Sequence, residues 1–200
     1  EKFYIIANGC SDKTEEIVGN IAKENTKVML ISLTLGDKCN AWNTYMHEIA
    51  PAVDIHFFVD ADVAFTQGVF AKMATTLFNT QEAIAIAGLP FSGRHKDFYR
   101  DLVIDGVCLF GNCYGIRQEF VNLAREKQFK LPIGLGWIDS IITKAINCNI
   151  TNQYQSIDDR ITHNLDCGYT FDSLKFYKID DIKLYINRGI YMPINANYVQ

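Results

Sequence analysis

From residue 3 to residue 87, short apolar runs take turns with segments whose apolar residues recur every three or four positions. The first pattern reads as buried strand and the second as amphipathic helix. Residues 3–7 are such a run and end in Asn8-Gly9-Cys10-Ser11-Asp12, a turn-forming cluster. Asp12, with Glu15 three residues on, makes a cap and N3 pair for a helix through about residue 23, with Ile17, Ile21 and Ala22 on one face. Residues 28–33 read as a second strand. A loop through Gly36 then leads to a helix marked by Ala41, Trp42, Tyr45, Met46 and Ile49, which Pro51 ends. A strand over 55–59, a helix over 69–78 and a strand over 83–87 follow. The alternation predicts an α/β fold with a largely parallel sheet flanked by helices.

After Pro90 the pattern loosens. Residues 92–100 are polar and charged (Arg94, His95, Lys96, Asp97) and read as a mobile loop. Residues 107–116 are strand-like but interrupted by Gly111, Asn112 and Gly115. Helices are predicted over 118–126 and 138–146, with a loop marked by Pro132, Gly134 and Gly136 between them. Beyond Asn147 the chain is rich in Asn, Asp and Tyr, with weak strand signals at 174–179 and 182–186.

Composition narrows the function classes. Two hundred residues suit one domain with a full core. The net charge of -4 argues against a general nucleic-acid binder, which would show a basic patch or stripe. No apolar stretch approaches the ~20 residues that span a bilayer, and no signal-peptide pattern opens the sequence. The six cysteines are scattered without a CxxC pair, which favours reduced thiols in a cytoplasmic protein over zinc or a disulfide framework.

The candidate chemistry lies at the end of the third strand. Phe57-Phe58-Val59-Asp60-Ala61-Asp62-Val63 is an apolar run that ends in two carboxylates spaced i, i+2. In open α/β sheets ligands collect beyond the carboxyl ends of strands. Alternation sets i and i+2 on one side of an extended chain, so Asp60 and Asp62 can converge on one hard cation, Mg²⁺ or Mn²⁺. The plain alternative is a strand running into an Asp-rich turn.

Four segments, in order, resemble the family-2-type glycosyltransferases with the GT-A nucleotide-sugar-binding fold. Residues 3–14, with Asn8-Gly9-Cys10-Ser11-Asp12-Lys13-Thr14, look like that family's second strand and turn. Gly36-Asp37-Lys38-Cys39-Asn40-Ala41-Trp42-Asn43 looks like its GKxxALN element, and Asp60-Ala61-Asp62 matches its DxD motif. Gly111 to Arg117, then Leu131-Pro132 and Gly136-Trp137-Ile138-Asp139, look like its G-x-x-x-x-x-R and (E)D-x-x-L segments. The resemblance covers about residues 3–147. It implies one domain over 1–200, with a nucleotide-binding part at 1–90 and an acceptor-side part at 91–200, built on a GT-A-type, Rossmann-like mixed sheet.

It also implies a metal-dependent, inverting transfer of a sugar from a UDP- or GDP-sugar to a hydroxyl acceptor, whether carbohydrate, lipid-linked or other. Asp62 would be the more direct ligand of Mn²⁺ or Mg²⁺, with Asp60 nearer the ribose or a metal-bound water. Lys38 would add a point charge near the phosphates or the base, and Asn8 and Asp12 would line the nucleoside pocket. Asp12 serves equally as a cap and Lys38 as a solvated lysine at a helix start. Asp139 is the candidate general base, and Trp137 can stack on a sugar ring. His163 and Arg160 are lesser candidates for phosphate contacts.

Two departures are visible. The family's acidic pair reads Ile138-Asp139, so one acid is replaced. The chain also opens on what resembles the family's second strand, so the central first strand is expected to be missing, in a fragment or with its slot otherwise filled. A homodimer is one way to cover exposed edges. The Q-x-x-R-W pattern of processive members is absent, Asn187-Arg188-Gly189 being at most a remnant. The competing readings are a non-catalytic glycosyltransferase-like domain that binds a nucleotide or a partner, and a nucleotidyltransferase on a related fold. A haloacid-dehalogenase-like phosphatase ranks lower, because Ala64 stands where its motif has Thr or Val.

Overall fold

Two strands joined by a helix open the chain, and the computed structural model describes it over residues 1–93, 95–106, 108–151, 157 and 159–171. It divides into two compact units: residues 1–50 with 128–135, and residues 51–127 with the described residues from 136 on.

In the first unit β1 (Phe3–Asn8) and β2 (Val28–Leu33) pair in parallel, Phe3 opposite Val28 through to Asn8 opposite Leu33. The crossover is α1 (Thr14–Glu24), where Gly19 lies over Leu30. α1 buries no side chain, and Phe3 is 51% exposed. α2 (Lys38–Thr44) continues into a π-helical turn, Tyr45–Ile49, and buries Cys39, Trp42 and Met46. Segment 128–135 is sewn to this helix by polar clips. The Asn43 amide donates to the Leu131 carbonyl at 2.9 Å and accepts the Leu131 N–H at 2.8 Å. His47 bonds the Phe129 carbonyl at 2.8 Å, and Trp42 meets the Phe129 ring edge-on.

The second unit holds β3 (Ile55–Val59), β4 (Val63–Phe65), β5 (Ala85–Pro90), β6 (Cys113–Arg117) and β7 (Ile161–Phe171), in the spatial order β3-β6-β5-β7-β4. Around them lie α3 (Val69–Asn79), α4 (Lys96–Ile104), α5 (Gln118–Glu126) and α6 (Asp139–Asn147). The fold is therefore mixed α/β, with sheets flanked by helices. Parallel pairing is found between β1 and β2 and between β5 and β7, while the other three pairings are antiparallel. The reason lies in β6. The β3–α3–β5 passage does give two strands of the same direction, but β6 returns between them, antiparallel to both. Strand–helix alternation reports direction along the chain and is silent about later insertions.

Three expectations are corrected. Residues 92–100 are not all loop: α4 begins at Lys96, because Val103 is buried and Tyr99 meets Phe110 edge-on at 5.3 Å. The strand expected over 107–116 is confined to Cys113–Arg117, since Gly111-Asn112 forms a turn. The strand β7 falls where only irregular tail was expected. The weak signals at 174–179 and 182–186, and Asn187-Arg188-Gly189, lie outside the described residues.

The core of this unit joins Val69, Met73 and Leu77 of α3 to Ala83, Ile86, Cys113, Cys167 and Tyr169. β5 is buried from end to end. β5 and β7 shift register between Ala87 and Leu89, where Gly168 comes so close that a Cβ would overlap the Leu89 carbonyl. Arg117 donates from Nε to Ala83 at 2.7 Å and from its guanidinium to the carbonyls of Leu77 and Thr80, satisfying the open end of α3. Among the described residues no helix is long and apolar enough to cross a membrane.

Candidate active site

β3 delivers Asp60. Its ladder with β6 runs to Val59 opposite Cys113, and the next residue is Asp60, half-buried, whose N–H donates to the Asn112 carbonyl at 3.3 Å. Ala61 and Asp62 make the turn into β4, and Asp62 is exposed. Asp139 arrives from far along the chain as the first residue of α6. Ile138 holds the N-cap position of its helix without a side-chain cap, so Asp139 is not the N-cap itself, and a carboxylate in the first turn faces the favourable end of the helix dipole. Asp139 is half-buried, with Oδ1 shielded from solvent. Trp137 is exposed, while Ile138 is 4% exposed and serves as an apolar anchor.

Tyr169 of β7 links these acids electrostatically. Its ring is 2% exposed. Burial pushes the phenol well above its ordinary value, and the charges of Cys113, Asp139 and Asp60 push in the same direction. One buried phenol thus senses both carboxylates. Cys108 lies within range of Asp139 as well: burial foremost, with Asp139 adding and a Thr143 hydrogen bond opposing, pushes its thiol up to about 11.

Asn8, Asp12 and Lys38 belong to the first unit. Asn8 ends β1, and its side-chain oxygen accepts the Asp37 N–H at 3.0 Å. Asp37 then caps α2 by accepting the Asn40 N–H at 2.8 Å and reaches the Gly134 N–H with its other oxygen at 2.8 Å. Lys38 is the exposed first residue of α2. Asn8 and Lys38 therefore meet at one turn, where Gly9 and Gly36 pass so closely that a Cβ on Gly9 would sit 2.6 Å from Gly36. Asp12 stays apart from it, accepting the Thr14 N–H at 3.0 Å, and the Thr14 bonds hold its carboxyl below the usual value.

The guanidinium of Arg160 donates to the Asn149 side chain. His163 lies in β7 opposite Ala87, its imidazole pushed down by burial first and the Arg100 charge second. Two residues near the acids escaped the sequence reading, Tyr169 and Thr143. The alternation Cys167, Tyr169, Phe171 about Gly168 carries a strand signal for the first; nothing in the sequence marks the second.

Among the described residues no group of three or more His, Cys, Asp or Glu side chains converges as a metal site. Asp60 and Asp62 offer carboxylate oxygens alone, which fits a hard cation whose remaining positions are taken by phosphate oxygens and water.

The architecture, mixed α/β with helices flanking its sheets, is similar to that of a glycosyltransferase. A solved structure that shares it is the mannosyltransferase PcManGT from Pyrobaculum calidifontis, in complex with GDP-Man and Mn²⁺, at a TM-score of 0.65 and 18% identity. The match covers 88% of this chain, which spans about half, 48%, of that one. No family model matches the chain, and no curated protein matches its sequence.

Proposed function

We propose that the chain carries the donor-binding and catalytic part of a metal-dependent, inverting glycosyltransferase, using a GDP- or UDP-sugar and a hydroxyl acceptor. The observation that carries this reading is the hydrogen-bonded segment that joins Asp60, through the Asn112 carbonyl, to Asp139, through the Leu109 N–H and the Thr143 hydroxyl, in a fold similar to that of an enzyme solved with GDP-Man and Mn²⁺. Asp62, with Asp60 beside it, would hold Mn²⁺ or Mg²⁺. The ion, when bound, supplies Lewis-acid neutralisation of the departing diphosphate. Asp139 takes the proton of the acceptor hydroxyl as its oxygen bonds the anomeric carbon and the sugar–diphosphate bond breaks, releasing the nucleoside diphosphate. Trp137, exposed two residues earlier, offers a face for a sugar ring. In the first unit Asn8 and Lys38 are assigned to the nucleotide, with Asp12 at the neighbouring turn.

A second reading, nucleotide binding without transfer, is favoured by Ile138, a buried core residue where the family has an acid. Two measurements decide. A Mn²⁺-dependent rise in melting temperature with GDP or UDP, lost in Asp62→Ala, is expected because a ligand of the native state stabilises it by mass action. Hydrolysis of GDP-mannose that falls about 10²–10⁴-fold in Asp139→Asn is expected of a general base. A thermal shift without turnover would establish the second reading, and neither effect would sink both.

A further inference from the structure

Thr143 is 3% exposed, and its hydroxyl makes two short hydrogen bonds and a longer one, at 3.8 Å, to the Cys108 sulfur. It donates to the Asp139 carbonyl at 2.7 Å and accepts the Leu109 N–H at 3.1 Å. The Cys108 thiol beside it donates to the Leu109 carbonyl at 3.0 Å. Bonding back to the i−4 carbonyl is ordinary for threonine in a helix and by itself means nothing. The second bond is different, because it ties Thr143, one turn beyond Asp139 in α6, to a distant segment. That segment, 109–112, ends at the Asn112 carbonyl that accepts the Asp60 N–H. Four residues span at most about 14 Å when fully extended. A short strap is therefore anchored at one end on the backbone of Asp60 and at the other, through Thr143, on the backbone of Asp139.

We infer that Thr143 is a positioning residue for Asp139, its hydroxyl fixing the base against the strap that also holds Asp60. The inference rests on the reading of Asp139 as general base. Hydroxyl donor and acceptor are both in use, so the helix turn can neither rotate nor slide without leaving the buried Leu109 N–H unsatisfied.

The test compares Thr143→Val, which keeps the shape and removes the hydroxyl, with Thr143→Ser, which keeps the hydroxyl. The readout is GDP-mannose hydrolysis with Mn²⁺, each protein assayed well below its own melting temperature. Thr143→Val is expected to lose about 10- to 100-fold in kcat. Thr143→Ser is expected to recover the rate. In an Asp139→Asn background, Thr143→Val should cost nothing further. Losses that multiply in the double variant, or a serine variant as slow as the valine one, would overturn the inference. An Asp139→Asn protein as fast as the native one would instead remove the base assignment, a different failure. A readout independent of turnover is amide hydrogen exchange. The Leu109 and Asp60 amides are expected to exchange faster together in Thr143→Val. If that variant does not fold, Thr143→Ser must keep both amides protected as in the native chain, and early exchange at either one refutes the strap.

Discussion

In the second unit β5 is buried from Ala85 to Pro90, whereas in the first unit β1 shows Phe3 and Ile5 to solvent and α1 buries nothing. The sequence patterns behind these elements look alike. Ile17 and Ile21 recur on α1 as Val69, Met73 and Leu77 do on α3, yet the first pair is exposed and the second set is core. Periodicity therefore reveals the element and says nothing about what lies against it. Where packing is thin, order comes from polar clips: Asp37 on Gly134 and Asn40, Asn43 on Leu131, His47 on Phe129.

If that contrast is right, mutations should separate by unit. The largest effect on stability is expected at Leu77, fully buried, where Leu77→Ala should cost about 2–5 kcal/mol. Ile17→Ala, on the exposed face of α1, should stay within about 0.5 kcal/mol. Urea unfolding of both variants measures the difference, and equal losses would break the comparison. Asn43→Ala should fall between them, at about 1–3 kcal/mol, because it leaves the N–H and carbonyl of Leu131 without their amide partner. In a Trp137→Phe background Trp42 is the sole tryptophan, so its fluorescence reports the first unit directly.

The smallest effect is expected from pH. His56 is buried, its imidazole held below the ordinary 6.5 by desolvation, with the Arg125 charge adding and a Gln118 hydrogen bond opposing. His163 shifts in the same direction. The unfolded chain therefore takes up these protons first. The stability both groups contribute is present above pH 6.5 and is lost as pH falls toward their folded values. Melting temperatures between pH 7.5 and 5 should show that decline, and a flat profile would deny it.

Much of the backbone was legible in the chain. Residues 28–33, 55–59 and 118–126 were each bounded by turn or cap residues, and strand or helix follows over those spans. The run into Asp60-Ala61-Asp62 gave away a strand end because apolar residues stop abruptly at a carboxylate. β7 was hidden because His163, Asn164 and Asp166 interrupt its apolar run, and its apolar alternation becomes clear only about Gly168. The link between Asp60 and Asp139 was invisible for another reason: it runs through the Asn112 carbonyl and the Leu109 N–H, which bind partners far away in the chain that no local pattern records. Thr143 was hidden most deeply, being one ordinary polar residue whose partner is 34 positions away.

The insertion of β6 between β3 and β5 has a consequence for synthesis. A ribosome delivers β3 and β5 well before the strand that separates them, and β7, which covers the other edge of β5, comes later still. Segment 128–135 likewise reaches the helix it clips only after most of the second unit has been made. At about 5–20 residues per second, the nascent chain holds an unpaired, apolar β5 for several seconds. β5 therefore has both of its neighbours only once residue 171 has been made.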